Sequence, residues 1–484
     1  MQRKSTLHSQ ELYRMIFSSL FFICIFLPVT LILYYVVPRK GKNLVLLIMG
    51  LIFYAWGEPV YVLLMIFSII YNYYAARSIA YYRQRGKMKM RTLVFIFCLV
   101  VNLGLLCFFK YYGFVIGNIN SLFHIAIPIR NLALPIGISF YTFQTLSYVI
   151  DVYKGNVRVQ KNIINFGAYI SMFPQLIAGP IVRYADIERQ LTGRKITFEK
   201  FAEGTAWFII GLAKKVLLAN NIGMLYDAVF LAAAPDRAVL TTWLGVIAFT
   251  FQIYFDFFGY SDMAVGLGKM LGFEFVQNFD YPYISKSATE FWRRWHISLG
   301  TWFREYVYIP MGGNRVSAIK HIRNILVVWI LTGFWHGAAW NFVFWGLYYA
   351  IILLLEKYVY GKGLKKAGPV VGHIYTIIIF VLGWLIFSSP SVPELGANFA
   401  SMFGILHTPF IDATTLYFLR TNAVLLIVCI LCSTPLVMKL FTLIASRKGS
   451  GFKIIATICY AAVFLASIAY LVNATYNPFL YFRF

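Results

Sequence analysis

His336 stands alone in a run of mostly apolar residues, 325–349. Hydrocarbon at the depth such a run would occupy penalises an ionisable imidazole, and ionisable residues there are kept where they face a polar cavity or a reaction path. His336 is therefore the first candidate for chemistry, set against the plainer reading of a hydrogen-bonded core histidine. A second cluster fills 278–323, where Lys286, Arg293, Arg294, Arg304, Arg315, Lys320 and Arg323 outnumber the acids. Between them Phe291, Trp292, Trp295, Trp302 and Phe303 recur at helical spacing, which predicts an amphipathic helix over 292–304 with one aromatic face. Two readings of it are open. One is an interfacial helix with tryptophans at headgroup depth and arginines on the anionic leaflet. The other is a cytosolic-side pocket in which arginines clamp phosphates while the aromatics cover an acyl chain or an adenine. His296 lies in this stretch, as a structural hydrogen-bond partner or as a catalytic group.

Asp256 and Asp262 are six residues apart, a poor match to one helical face, and Gly259 between them predicts a break. Each reads as a helix cap or as half of an internal ion pair with Lys269 or a nearby arginine, not as a catalytic carboxylate pair. The six cysteines lie in or beside apolar runs, so neither a disulfide framework nor a zinc site is expected. Cys429 and Cys432 have redox-motif spacing without a neighbouring histidine or acid, and read as packing residues. The sequence shows no Walker or dinucleotide-binding glycine motif and no internal repeat.

The elements that must position these residues belong to a membrane. Of 484 residues, 60% are hydrophobic and 13% charged, beyond the apolar share of about 45–50% in soluble domains. Runs near the ~20 residues that cross a bilayer occur at 16–37, 59–76, 92–109, 132–150, 163–180, 239–258, 325–350, 373–389, 417–440 and 454–474, with shorter ones at 44–56, 113–127 and 205–219. They do not alternate as barrel strands would. The expected fold is an all-α polytopic membrane protein of roughly nine to twelve transmembrane helices with re-entrant and interfacial helices. A polar N-terminal extension, 1–14, is expected to be poorly ordered, and 15–484 to form a single membrane domain. The first apolar run lacks a small-residue cleavage site and reads as an anchor rather than a signal peptide.

A formal net charge of +25 would suggest nucleic acid in a soluble protein. Here the basic residues lie between spans and follow the positive-inside pattern, so no nucleic-acid partner is expected. Residues 77–91 carry six basic residues and no acid, and 39–42 form a smaller basic loop. Both are expected in the cytoplasm, with two crossings between them turning at 57–59 and the N-terminus outside.

Ordered blocks along almost the whole chain resemble one family. Trp292-Arg293-Arg294-Trp295-His296-Ile297-Ser298-Leu299, then Tyr308-Ile309-Pro310-Met311-Gly312-Gly313-Asn314-Arg315, then Gly333-Phe334-Trp335-His336-Gly337 are similar to the signature of the membrane-bound O-acyltransferases (MBOAT). Blocks at 15–19, 53–56, 134–141, 177–180, 254–262 and 481–484 add to the resemblance, which points to the bacterial branch of the alginate O-acetyltransferase membrane subunit. It implies a fold of tilted helices around a central passage, and acyl transfer from a thioester donor to a hydroxyl. It carries the family's intramembrane histidine onto His336 and a second polar position onto His296. His336 would take the hydroxyl's proton as the oxygen attacks the thioester carbonyl, a contribution typically of ~10²–10⁴-fold, and burial would keep its imidazole neutral. His296 would orient His336 or donate to the carbonyl oxygen, while Arg293, Arg294 and Arg304 would hold the donor's phosphates. Acetyl-CoA is the expected donor substrate, with no tightly bound cofactor and no metal.

An acyl thioester is made in the cytoplasm, whereas envelope polysaccharides are decorated outside. A funnelled protein core would let both substrates reach one histidine. The branch resembled passes its acetyl group to a separate extracytoplasmic esterase-like (SGNH-type) transferase, so such a protein is the expected partner, beside membrane lipids and a polysaccharide acceptor. The expected location is the bacterial cytoplasmic membrane. Three rivals stay open: D-alanyl-type transfer to a wall polymer from a carrier protein, a polysaccharide or lipid transporter, and a non-catalytic scaffold of an envelope complex. A transporter would show paired halves with similarly interrupted helices, and these are not visible.

The charge pattern generates a topology test. In a background stripped of native cysteines, a cysteine at Gly86 is expected to resist an impermeant thiol reagent in intact cells and to react after permeabilisation. Labelling of intact cells would reverse the orientation.

Overall fold

The structure, a computed structural model, describes residues 15–130, 132–177, 179–445, 450–473, 476–478 and 480. The extension 1–14, the terminal block 481–484 and Ala178 of the 177–180 block lie outside the described residues.

The described chain is helical, with one isolated antiparallel bridge between Phe279 and Trp295. Apolar segments with no water to satisfy their backbone groups must do so internally, and helices do this within one segment. Eight helices among the described residues are long and apolar enough to cross a membrane: Val62–Gln84, Met88–Phe123, Phe198–Leu231, Val239–Met270, Trp340–Lys366, Pro369–Ser388, Ala413–Cys432 and Lys453–Asn473. Three runs expected to cross form shorter pieces, namely Phe22–Val36, Ile138–Lys154, and Ile163–Ser171 followed by Phe173–Leu176. The last run is cut at Met172, and Pro174 opens the next turn, where its missing N–H is no loss. Conversely, 205–219 is not a separate short segment but the middle of Phe198–Leu231. The expected turn at 57–59 is present, between Lys42–Gly57 and Val62–Gln84.

The chain divides into two compact units, one of residues up to 208 with 260–276, the other of 209–259 with 277–484. In the first, Phe17, buried in the 15–19 block, stacks on Tyr260 at 4.4 Å. The second holds His296, His336 and the three candidate arginines. Its core is aromatic: Tyr283 stacks on Phe380 at 4.5 Å, and Trp295 meets Trp384 at 4.7 Å.

Gly259 does not break its helix. Val239–Met270 runs through it, and a Cβ there would lie 2.6 Å from the Gly211 carbonyl oxygen and 2.9 Å from the Lys215 nitrogen. The glycine permits a close helix crossing. That crossing brings Lys215 Nζ within 2.5 Å of Asp256 Oδ1, with the two side chains 1% and 2% exposed. The partner of Asp256 is thus a lysine of the neighbouring helix; Lys269 pairs instead with Glu203 at 2.9 Å. Asp256 Oδ2 also accepts the Leu480 N–H at 2.8 Å, and Lys215 donates to the Pro478 carbonyl, so the pair holds the end of the described chain.

Removing one member of a buried pair leaves an uncompensated charge, at a cost of about 3–5 kcal/mol. Lys215→Met should therefore lower the unfolding midpoint in detergent markedly, and adding Asp256→Leu should recover much of the loss. An unchanged midpoint in the single variant would contradict a stabilising pair.

Candidate active site

The run 325–349 is not one crossing. It folds as a helical hairpin with arms Ala318–His336 and Trp340–Leu355, and His336 is the last residue of the first arm. Gly337 turns the chain in extended backbone (φ −172°, ψ 156°), where a Cβ would lie 2.2 Å from the Phe342 ring. Deeper in the hairpin the arms touch backbone to backbone. A Cβ on Gly333 would fall 2.3 Å from the Phe342 carbonyl oxygen, and one on Gly346 2.4 Å from that of Trp329. Small residues at such a crossing let helices approach until van der Waals contact replaces lipid. His336 is buried at the tip, 5% exposed, with the rings of Trp335, Trp345 and Phe387 at 5.1, 4.9 and 5.2 Å.

The amphipathic helix expected over 292–304 is likewise two helices, Ala288–Arg294 and Ile297–Phe303, and His296 is the joint. Its backbone is left-handed (φ 45°, ψ 55°), a region uncommon for a residue with a Cβ. Segment 278–280 imposes this break by taking over the backbone hydrogen bonds. The Asp280 N–H donates to the Arg294 carbonyl, and the Asn278 carbonyl and side chain accept from the Ile297 and Ser298 N–H groups at 3.0 and 3.2 Å. A continuous aromatic face on a membrane surface is therefore not formed. The His296 side chain instead turns inward, 2% exposed, 4.6 Å from the Phe257 ring and 5.7 Å from Trp335. Neither of its ring nitrogens has a side-chain hydrogen-bond partner among the described residues. A hydrogen bond from His296 that would orient His336 is thus not drawn; the two imidazoles meet the same indole, Trp335. Burial pushes the His296 pKa down to about 3 and keeps the ring neutral.

A pocket of about 180 Å³ opens beside this joint. The first arm lines it with Ile325, Val328, Trp329 and Thr332, an i, i+3, i+4, i+7 stripe. The next position on the stripe is His336, one turn or ~5.4 Å further along, and Cα–Cβ bonds lean toward the helix N-terminus, here toward the pocket. His336 itself is not in the lining; the pocket ends at Thr332 and His296. Of the three arginines only Arg304 lines it, with Tyr308. These two belong to the π-turn Arg304–Tyr308, closed by the Ile309 N–H on the Arg304 carbonyl at 2.9 Å. The wider turn brings positions four apart nearly into line. Arg304 touches Glu305 at 3.0 Å and remains 60% exposed. Arg294 is held by Glu290 at 3.0 Å and by Asp280 at 3.1 Å, an acid that the sequence reading did not weigh. Arg293 is exposed and outside the lining.

Sequence reasoning missed Glu356. Its buried carboxylate accepts from the Ala288 N–H (2.5 Å), the Thr289 N–H (2.9 Å), the Thr289 hydroxyl (2.6 Å) and the Tyr375 hydroxyl (3.0 Å). It anchors the N-terminus of the helix that leads into His296, where negative charge is favoured. Its only sequence signal was an acid following an apolar run, which reads equally well as an interfacial residue.

Residues 156–392 match the model of the membrane-bound O-acyltransferase family, and this span contains His296, Arg304 and His336. The chain is similar to a probable alginate O-acetylase of Azotobacter vinelandii, 40% identical over 80% of this chain and 78% of that one. It is 33% identical to a peptidoglycan O-acetyltransferase of Helicobacter pylori, over 82% and 81% of the two chains. A teichoic acid D-alanyltransferase of Bacillus subtilis is 29% identical over 53% of this chain and 67% of its own length.

The Glu356 anchor can be tested directly. Glu356→Ala withdraws an acceptor from four donors, and hydrogen bonds to charged groups contribute about 1.5–3 kcal/mol each. Amide hydrogen exchange over 288–296 should accelerate before exchange in the hairpin. Unchanged protection there would separate Glu356 from the His296 joint.

Proposed function

The chain belongs to the membrane-bound O-acyltransferase family, and from that premise we propose that it moves an acetyl group from acetyl-CoA toward a hydroxyl of an envelope or extracellular polysaccharide. The observation that carries this reading is the stripe on the first hairpin arm, which lines the pocket as far as Thr332 and continues to His336. A thioester lying along the stripe would bring its carbonyl to the tip while its phosphates stay by Arg304.

In the reaction, the neutral His336 imidazole takes the hydroxyl proton as the oxygen bonds to the thioester carbonyl carbon. The tetrahedral intermediate then expels the thiolate, a good leaving group, and the acetyl ester remains. Its developing oxyanion needs a preorganised donor, and a ring N–H of His296 is the candidate. The apolar walls exclude water that would hydrolyse the thioester. The hydroxyl attacked belongs either to the polysaccharide or to a separate extracytoplasmic esterase-like transferase that passes the acetyl group on. The bacterial cytoplasmic membrane, with donor on one side and acceptor on the other, is the setting that such a relay requires.

Acetyl rather than D-alanyl transfer is favoured by the extent of the similarity. The relatives named as O-acetylating enzymes align over about four-fifths of this chain, the D-alanyltransferase over 53%.

His336→Ala should abolish polysaccharide O-acetylation, by the ~10²–10⁴-fold typical of a lost general base or more, at normal abundance of the protein in membranes. His336→Gln, which keeps polarity but not basicity, should be nearly as inactive. Wild-type acetyl content in either variant would remove His336 from the reaction.

A further inference from the structure

His321 lies on the same arm as His336, about four turns earlier, and the reaction above does not use it. It is buried between two phenols. Its Nε2 is 3.0 Å from Tyr308 Oη and its Nδ1 is 2.8 Å from Tyr358 Oη. Tyr308 lines the pocket beside Arg304, whereas Tyr358 belongs to the π-turn Glu356–Tyr360 that ends the second arm. Burial, with Lys357 nearby, pushes the His321 pKa below the ordinary histidine value.

A neutral imidazole has one donor and one acceptor nitrogen. With both nitrogens engaged, one tyrosine must donate to the ring and the other must accept from it. In one of the two arrangements Tyr358 donates to Nδ1 across 2.8 Å and Nε2–H donates to Tyr308 across 3.0 Å. In that arrangement the Tyr308 oxygen is already satisfied as an acceptor. Its own hydrogen is left over for the pocket.

We propose that His321 is a positioning residue for the acyl donor: its Nε2–H fixes the Tyr308 hydroxyl as a hydrogen-bond donor which, beside Arg304, binds an anionic phosphate oxygen of the donor. This rests on the reading that the pocket takes a phosphorylated thioester. The division of labour follows from the hairpin's length. The base holds the charged end of the donor, and the tip, ~16 Å from Ile325 along the helix at 1.5 Å per residue, holds the reacting carbonyl.

The test is equilibrium binding of CoA to the purified full-length protein in detergent, followed by tryptophan fluorescence, with Trp292 and Trp329 in the pocket wall as reporters. Tyr308→Phe and His321→Ala should each weaken CoA binding several-fold. The double variant should bind no more weakly than either single one, because both act through one hydroxyl. His321→Gln should retain most of the affinity, since an amide both donates and accepts. In acetyl transfer Tyr308→Phe and His321→Ala should raise the apparent KM for acetyl-CoA with kcat within about two-fold, a split that general loss of folded protein would not produce. Undiminished CoA binding by Tyr308→Phe or by His321→Ala, or additive losses in the double variant, would overturn the proposal while the donor reading stands on wild-type binding. Wild-type protein with no affinity for CoA would overturn the donor reading, and this proposal with it.

Discussion

The backbone contact between the hairpin arms at Gly333 and Gly346 is the constraint on which the site depends. A side chain at either position would occupy the space of a carbonyl oxygen on the facing helix. Because the arms close to this distance, the residue ending the first arm is surrounded by protein at the tip rather than exposed at a helix end. The indoles and phenyl ring around His336 then set its environment.

The second histidine reaches the same neighbourhood by a different device. His296 is placed by interrupting a helix, and the interruption is stabilised by segment 278–280, which supplies the hydrogen bonds that a continuous helix would have made internally. The left-handed backbone at His296 is therefore over-determined from both sides. Glu356 holds the start of the incoming helix, and the Phe279–Trp295 bridge holds its end. A mobile interfacial helix would not give the imidazole a fixed direction; two short pinned helices do.

Polar groups in the hairpin concentrate at its base. Glu356, Tyr358 and Tyr360 come from one π-turn, and they tie the second arm to the Ala288 helix, to His321 and to Tyr375. The hydrogen bonds to Glu356 and His321 satisfy groups that would otherwise be buried unpaired, at a penalty of about 1–3 kcal/mol. The aromatic tip and the polar base thus do different work along one pair of helices. The tip surrounds His336 with aromatic rings, and the base gathers the hydrogen bonds of Glu356 and His321.

Composition and apolar runs were enough to establish a polytopic helical membrane protein, because bilayer thickness and backbone satisfaction leave few alternatives. The motif blocks around 292–299 and 333–337 were enough to point to the family and to make His296 and His336 the candidates. The run expected at 373–389 nearly coincides with the helix Pro369–Ser388, whereas the run expected at 59–76 stops eight residues short of its helix's end at Gln84. Hydropathy did not reveal that 325–349 folds back on itself, since Gly337, Ala338 and Ala339 are as apolar as the helices they separate. Helical periodicity did not reveal the break at His296, because its cause lies in residues 278–280, remote in sequence from the helix they divide. Nor did charge alone choose among the arginines: Asp280 and Glu290 hold Arg294, while a π-turn aims Arg304 at the pocket. The sequence by itself determined the solvent, the helical class and the chemistry-bearing residue types. Tertiary structure decided which of those residues share a cavity, because close helix contacts, hydrogen-bond takeover and ion pairing are made between segments that no local pattern connects.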